Sequence, residues 1–240
     1  MNDALQHTLG LLPYFGKVLG LGALATLGLT LAAFALALVL GLLLALMRLS
    51  PRFGLRALAS AYLELFRNVP ILTQLFILYF GLTHLGITLP AAVAAILGFG
   101  LNGAAMLCEV FRSAILTVDR GQGEAAQAIG LPRAKVLRLI VLPQALRVAL
   151  PGMGSFAIGL LKDTSLASAA AVPELAFRAR MLVSETYQTN LIYLLVAVIY
   201  LLLSLALSRA AARAERRLDP ARAQPAPAPS GVPDNLMEGR

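Results

Sequence analysis

Between Lys17 and Arg48 the chain carries 30 consecutive uncharged residues, Val18 to Met47, and between Arg67 and Glu109 it carries another 41. Runs of this kind leave few choices. A helix crossing a hydrocarbon layer of about 30 Å needs about 20 apolar residues. Lipid offers no partner to an open backbone N–H or C=O, so such a segment must be helical or part of a closed barrel. The first run makes span one, with tilt or an extension beyond the bilayer. The second is too long for a single crossing. It divides at Thr83 to Pro90 (THLGITLP), where Gly86 and Pro90 favour a turn, giving span two from about Leu65 to Leu82 and span three from about Ala91 to Leu116. Span four follows from about Leu139 to Leu161; Pro143, Pro151, Gly152, Gly154 and Gly159 within it predict a kinked or partly broken helix. Thr189 to Ser208 makes span five. The composition agrees, with 59% hydrophobic and 13% charged residues against roughly 25% charged in soluble chains.

The expected fold is therefore all-α, a polytopic membrane protein of five transmembrane helices. It forms one membrane domain over residues 1–218, followed by a disordered tail, 219–240, rich in Ala and Pro (PARAQPAPAPS). The start, MNDALQHTLGLLPYFGK, lacks a basic n-region and reads as retained rather than cleaved. Basic residues set the orientation. Arg48, Arg52 and Arg56 follow span one; Arg112, Arg120, Arg133, Lys135 and Arg138 lie around the next loop on that side; Arg209, Arg213, Arg216, Arg217 and Arg222 follow span five. Residues 83–90 have no Lys or Arg, and 162–188 balance theirs with acids. The positive-inside rule then puts the N-terminus outside and the C-terminus in the cytoplasm. The formal charge of +8 belongs to these membrane flanks, and no nucleic-acid partner is needed to account for it.

Between spans three and four lies a polar island, GQGEAAQAIGLPRAKVLRLIVLP, from Gly121 to Pro143. Ala125 to Ile129 favour a helix, Gly130 suits its C-terminal cap, and Pro132 suits the first turn of the next. The expected product is a rigid elbow whose first arm is small and alanine-rich and whose second carries Arg133, Lys135 and Arg138. Such a surface suits docking rather than catalysis. An ordinary charged loop is the plainer alternative.

Polar groups inside the spans are costly unless paired or facing a cavity. Glu64 and Arg67, three apart on a helix, are placed to form an ion pair or to line a pathway. Asn68, Thr73 and Gln74 near the start of span two, Asn102 and Glu109 in span three, and Lys162, Asp163, Thr164, Ser165 and Ser168 at the far end of span four are candidates for touching a transported solute. Each also suits capping or interhelical bonding, and Thr164 and Ser165 in particular suit a cap for the next segment. Gly98, Gly100 and Gly103 spell G-x-G-x-x-G, but inside a membrane run they read as close helix packing. Gly16, Gly20, Ala104 and Ala105 read the same way. No metal or cofactor site is expected: Cys108 is the single cysteine, His7 and His84 are isolated, and neither HExxH nor GxSxG occurs. A secondary transporter or channel is the alternative class, although no inverted repeat is visible.

The spacing EAA, three residues, Gly, nine residues, Ile, one residue, Leu-Pro is filled by Glu124, Ala125, Ala126, Gly130, Ile140, Leu142 and Pro143. It resembles the EAA loop of permease subunits of binding-protein-dependent ABC importers. YLELFRNVPILTQLFILYFGL (Tyr62 to Leu82), EVFRSAILTVDRGQGEAA (Glu109 to Ala126), LPQALRVALPGMGSFAIGLLKDTSLAS (Leu142 to Ser168) and VPEL (Val172 to Leu175) are similar to the polar amino acid group, the histidine, glutamine, arginine and cystine importers. The resemblance covers about residues 15–217. It departs at Arg67 to Pro70, where Arg-Gly-Thr-Pro is frequent, at Gly123, and at Ala104 to Cys108. The resemblance implies the type I importer transmembrane fold and a subunit that is not itself an enzyme. Its implied partners are a second permease subunit in a homo- or heterodimer, cytoplasmic ABC ATPase subunits and an extracytoplasmic amino-acid-binding protein. It also implies that Gly121, Glu124, Ala125, Ala126, Gly130, Leu131, Arg133, Ile140, Leu142 and Pro143 couple the chain to the ATPase. The chain has no GxxxxGK[ST], so ATP is expected to be hydrolysed by that partner.

Overall fold

The computed structural model describes residues 2–218, and the expected disordered tail lies outside them. Four helices are long and apolar enough to cross a bilayer, Gly10–Arg48, Ala91–Thr117, Arg133–Ala170 and Thr189–Leu218, and a bent pair, Phe53–Asn68 with Ile71–Leu85, makes the count five.

Helix α1 (Asn2–Arg48) packs along α4 (Ala91–Thr117) through small side chains. Ala33, Ala37, Ala45, Ala104 and Ala105 are fully buried, and a Cβ on Gly41 would lie 2.9 Å from Leu107 Cβ and 3.1 Å from the Ala104 carbonyl oxygen. Close backbone approach of this kind replaces the hydrophobic driving force that lipid cannot supply between helices. The glycine triplet has the same role. Cβ atoms there would meet Leu75 (Gly98), Leu36 (Gly100), and Phe156 and Ala37 (Gly103) within 3.0 Å. Gly16 and Gly20 depart from expectation, with nothing within 4 Å of a Cβ at either. The close contact at that end of α1 falls instead on Gly22, where a Cβ would sit 2.8 Å from Leu175 Cα.

Span two, expected from about Leu65 to Leu82, is a bent pair of helices. Helix α2 (Phe53–Asn68) ends at Val69, whose extended backbone (φ −96°, ψ 126°) is what a following proline imposes, and the chain turns by 101° before α3 (Ile71–Phe76). A widened π turn (Ile77–Gly81) and a 3-10 turn (Leu82–Leu85) complete the crossing. Gly86 at φ +79° then closes the turn before α4, with His84 exposed beside it.

Span four, expected to be kinked or partly broken, runs on without a break through its proline and glycine residues, with a local widening of the helix. Helix α6 (Arg133–Val136) passes through a π turn, Leu137–Val141, directly into α7 (Leu142–Asp163). Pro143 follows that π turn directly, and the widened turn accommodates the N–H that it lacks within the continuous helix.

After α7 a 3-10 segment, Thr164–Ala170, leads to α8 (Leu175–Thr186) and α9 (Thr189–Leu218). Phe15, Leu19, Leu175, Leu182, Ile192 and Val196 form a shared core of α1, α8 and α9. At its edge the fully buried Glu174 accepts from the N–H groups of Ala176 (2.9 Å) and Phe177 (2.8 Å), from Thr26 Oγ1 (3.3 Å) and from the Tyr200 hydroxyl (3.1 Å). One carboxylate thus caps α8 and ties it to both long helices.

Candidate functional site

The polar island folds as the expected elbow. Helix α5 (Arg120–Ala128) begins at Asp119, whose Oδ1 accepts from the Gly121 N–H at 2.7 Å. It ends in a Schellman motif: the Leu131 N–H reaches the Ala126 carbonyl (3.1 Å), the Gly130 N–H reaches Gln127 (2.9 Å), and Gly130 sits at φ +86°. Pro132 stands just ahead of α6 rather than within its first turn. Ala126 and Val136 are buried, whereas Glu124, Ala125 and Arg133 are exposed and Leu131 is half-buried. Ile140 and Leu142 are half-buried and Pro143 is exposed, all on the helix leading away. Because α6 and α7 are continuous, the second arm of the elbow is the end of span four itself. Sequence reasoning missed Ile129, which is 80% exposed at the tip. A large apolar side chain held out between the alanine arm and the capping glycine was the available signal.

The polar groups of the spans sort into three sets. Around Glu109 gather Arg48 from the end of α1, bonded through Nη1 to Oε1, Arg112 through Nε to Oε2 at 3.1 Å, and Arg67 through Nη1 to Oε1 at 3.8 Å. This corrects the expected Glu64–Arg67 pair. Arg67 turns toward Glu109 at the crossing of α2 and α4, and Glu64 Oε2 instead accepts from Asn68 Nδ2 at 3.0 Å. Arg48 and Arg112 stand out in the sequence only as markers of topology, although a lone acid among membrane-flanking arginines is a signal for the cluster.

A second set clamps the bend in span two. Gln74 Nε2 donates to the carbonyls of Phe66 (3.0 Å) and Val69 (2.7 Å), and Asn102 Nδ2 donates to Phe66 (2.7 Å). These bonds satisfy carbonyls that the end of α2 leaves open. The Gln74 Oε1 atom has no partner among the described residues. Gln74 lines a cavity of about 190 Å³ together with Leu65, Phe66, Val69, Ile77, Leu78 and Leu101.

The third set lies at the far end of span four. Lys162 and Asp163 are exposed, the Thr164 hydroxyl bonds back to the Leu161 carbonyl (2.7 Å) rather than capping the next segment, and Ser168 gives its carbonyl to Arg180 Nη2 (2.7 Å). Thr73 is exposed on α3. The three sets do not converge on one pocket.

The bundle joins up to five candidate crossings to a stiff, exposed elbow, the frame of a translocation subunit in the family that the chain matches. The chain belongs to the family described as the binding-protein-dependent transport system inner membrane component, whose model matches residues 37–220. It is 43% identical over 162 residues, 68% of this chain and 72% of the relative, to a probable amino-acid ABC transporter permease protein, YckA, of Bacillus subtilis strain 168. It is 37% identical over 206 residues, 85% and 88% of the two chains, to the L-cystine transport system permease protein TcyB of the same organism. Among solved structures it matches an amino acid ABC transporter crystallised with histidines, at 33% identity and a TM-score of 0.80 over 87% of this chain and 97% of that one. The MetNI methionine transporter, at 21% identity and a TM-score of 0.73, shares the fold.

Proposed function

We propose that this permease subunit moves polar amino acids into the cell by alternating access, driven by a separate ATPase that grips the elbow from Gly121 to Pro143. The observation that carries this reading is the continuity of the elbow's second arm with span four. A push on Arg133 is delivered directly to a 38-residue helix, Arg133–Ala170, and one on Glu124 or Ile129 reaches it through the hydrogen-bonded turn at Gly130; such coupling needs a stiff element with two arrangements. The names of the similar permeases support amino acids as the solute. A second permease subunit would complete the pathway, and a binding protein outside would deliver the solute.

The basic residues support an orientation with the elbow and C-terminus inside and the N-terminus outside. Cysteines placed singly at Thr88 and Gln122, both exposed, test it in a background lacking the buried Cys108. An impermeant thiol reagent on intact cells is expected to label position 88 alone. Labelling at 122 overturns the orientation.

The function itself is tested in proteoliposomes holding the permease pair and ATPase, supplied with the binding protein and a panel of labelled amino acids. ATP-dependent accumulation of one or more of them is expected. Flux that runs equally well without ATP overturns the importer reading in favour of a channel or secondary transporter.

A further inference from the structure

Along α9 the exposed surface changes its chemistry without changing face. Residues 189–208 carry no charge, whereas 209–218 carry Arg209, Arg213, Arg216 and Arg217 with a single acid, Glu215. At about 100° per residue, Leu194, Val198, Leu202 and Leu205 fall on one stripe of the helix, and Arg209, Arg213 and Arg216 continue it. All of them are exposed. The buried Ile192 and Val196 lie on another side, in the core shared with α1 and α8.

The acid is kept off this stripe. Glu215 sits on the side toward α7, its Oε1 3.6 Å from the position of a Cβ on Gly154. No carboxylate among the described residues lies within salt-bridge distance of an α9 arginine. At the edge of the stripe, Arg213 and Arg217 with Ala210, Ala214 and Leu218 line an open niche of about 470 Å³. Small alanines between the guanidiniums leave room at the helix surface for a phosphate to meet two planar forks at once. An acidic protein surface would answer the arginines and leave the leucines of the same stripe unmatched. A phospholipid of negative charge answers both in one molecule.

We propose that α9 carries an anionic-phospholipid site. The headgroup phosphate lies in the niche between Arg213 and Arg217, Arg209 and Arg216 flank it, and the acyl chains run back along Leu205, Leu202 and Val198. A general excess of basic residues at a membrane flank asks only for net charge, whereas this site asks for one face of one helix. The inference rests on the residence of α9 in a bilayer, and neither on the solute nor on the side at which the arginines emerge.

The test holds the full-length permease in dodecyl maltoside micelles doped with radiolabelled phosphatidylglycerol or phosphatidylcholine and measures the lipid retained after gel filtration. The parent is expected to retain phosphatidylglycerol about tenfold over phosphatidylcholine. Arg213→Gln with Arg217→Gln should bring the two lipids within about twofold, with the parent's elution profile, because both groups are exposed. Arg213→Lys with Arg217→Lys keeps the charge and should keep most of the preference. Arg52→Gln with Arg56→Gln removes the same charge from exposed positions at the start of α2 and should change nothing. A parent without preference, or a Gln pair at 213 and 217 that keeps it, overturns the site. A loss in the Lys pair as large as in that Gln pair does so too, because charge is then not what holds the lipid. Equal loss in the Arg52 and Arg56 pair replaces the site by general charge. Displacement of the lipid by inorganic phosphate at equal concentration leaves a bare anion site and overturns the lipid. A Gln pair at 213 and 217 that retains phosphatidylglycerol but loses the ATPase on co-purification gives the stripe to an acidic protein partner instead.

Discussion

Glu174→Ala is expected to lower the amount of folded permease severely. The change leaves two backbone N–H groups, the Thr26 hydroxyl and the Tyr200 phenol without their acceptor in a site closed to solvent. An unsatisfied buried donor costs about 1–3 kcal/mol. Relaxation keeps such costs from adding fully, and a total of about 3–5 kcal/mol matches the loss found when one member of a buried charged network is removed. Glu174→Gln preserves the shape and one acceptor oxygen and should fall between. The measurement is the midpoint of thermal unfolding in detergent, together with the monodisperse fraction on gel filtration. An alanine variant that melts with the parent would mean that α8 is held by its apolar core alone, through Leu175 and Leu182.

Gly130→Val should abolish transport while leaving the membrane spans in place. At φ +86° a residue with a Cβ is strained, by about 1–2 kcal/mol for an L-residue in the left-handed region, and β-branching makes it worse. No neighbour lies within 4 Å of the added Cβ, so the cost is one of backbone rather than of packing. The chain relieves it by opening the Schellman turn, and Ile129 and the alanine arm then point away from their docking direction. Normal membrane insertion and gel-filtration profile, loss of ATPase co-purification and uptake at background are the expected set. Gly130→Asn, whose side chain tolerates this conformation, should keep a substantial part of both. Transport by the valine variant at the parent level would remove the elbow from the coupling pathway.

Features set by local chemistry were legible in the amino-acid order. The cap at Gly130, the turn at Gly86 and the division of the long uncharged run all follow from residues acting on their immediate neighbours, and the structure has each of them. The span-two bend was legible in principle, since Pro70 dictates the backbone of Val69, but its size depends on Gln74 and Asn102 reaching the open carbonyls of α2. Small residues were a weaker guide. Gly41 and Gly16 look alike in the chain, yet only Gly41 faces a neighbouring backbone. Glu64 and Arg67 misled because helical spacing makes a pair possible without selecting it over a more distant acid.

The chain order by itself determined matters of solvent and of neighbours within a turn or two. Residence in lipid, the number of crossings and the stiff elbow follow because burial in a bilayer demands long apolar runs and because capping is local. Partners far apart in the chain were decided only by the tertiary structure. Glu109 gathers arginines 61 and 42 residues before it, and Glu174 meets Thr26 across 148 residues. In a low-dielectric interior a carboxylate goes to whichever donors the packing of whole helices brings within about 3 Å, and that packing is a property of the assembled bundle.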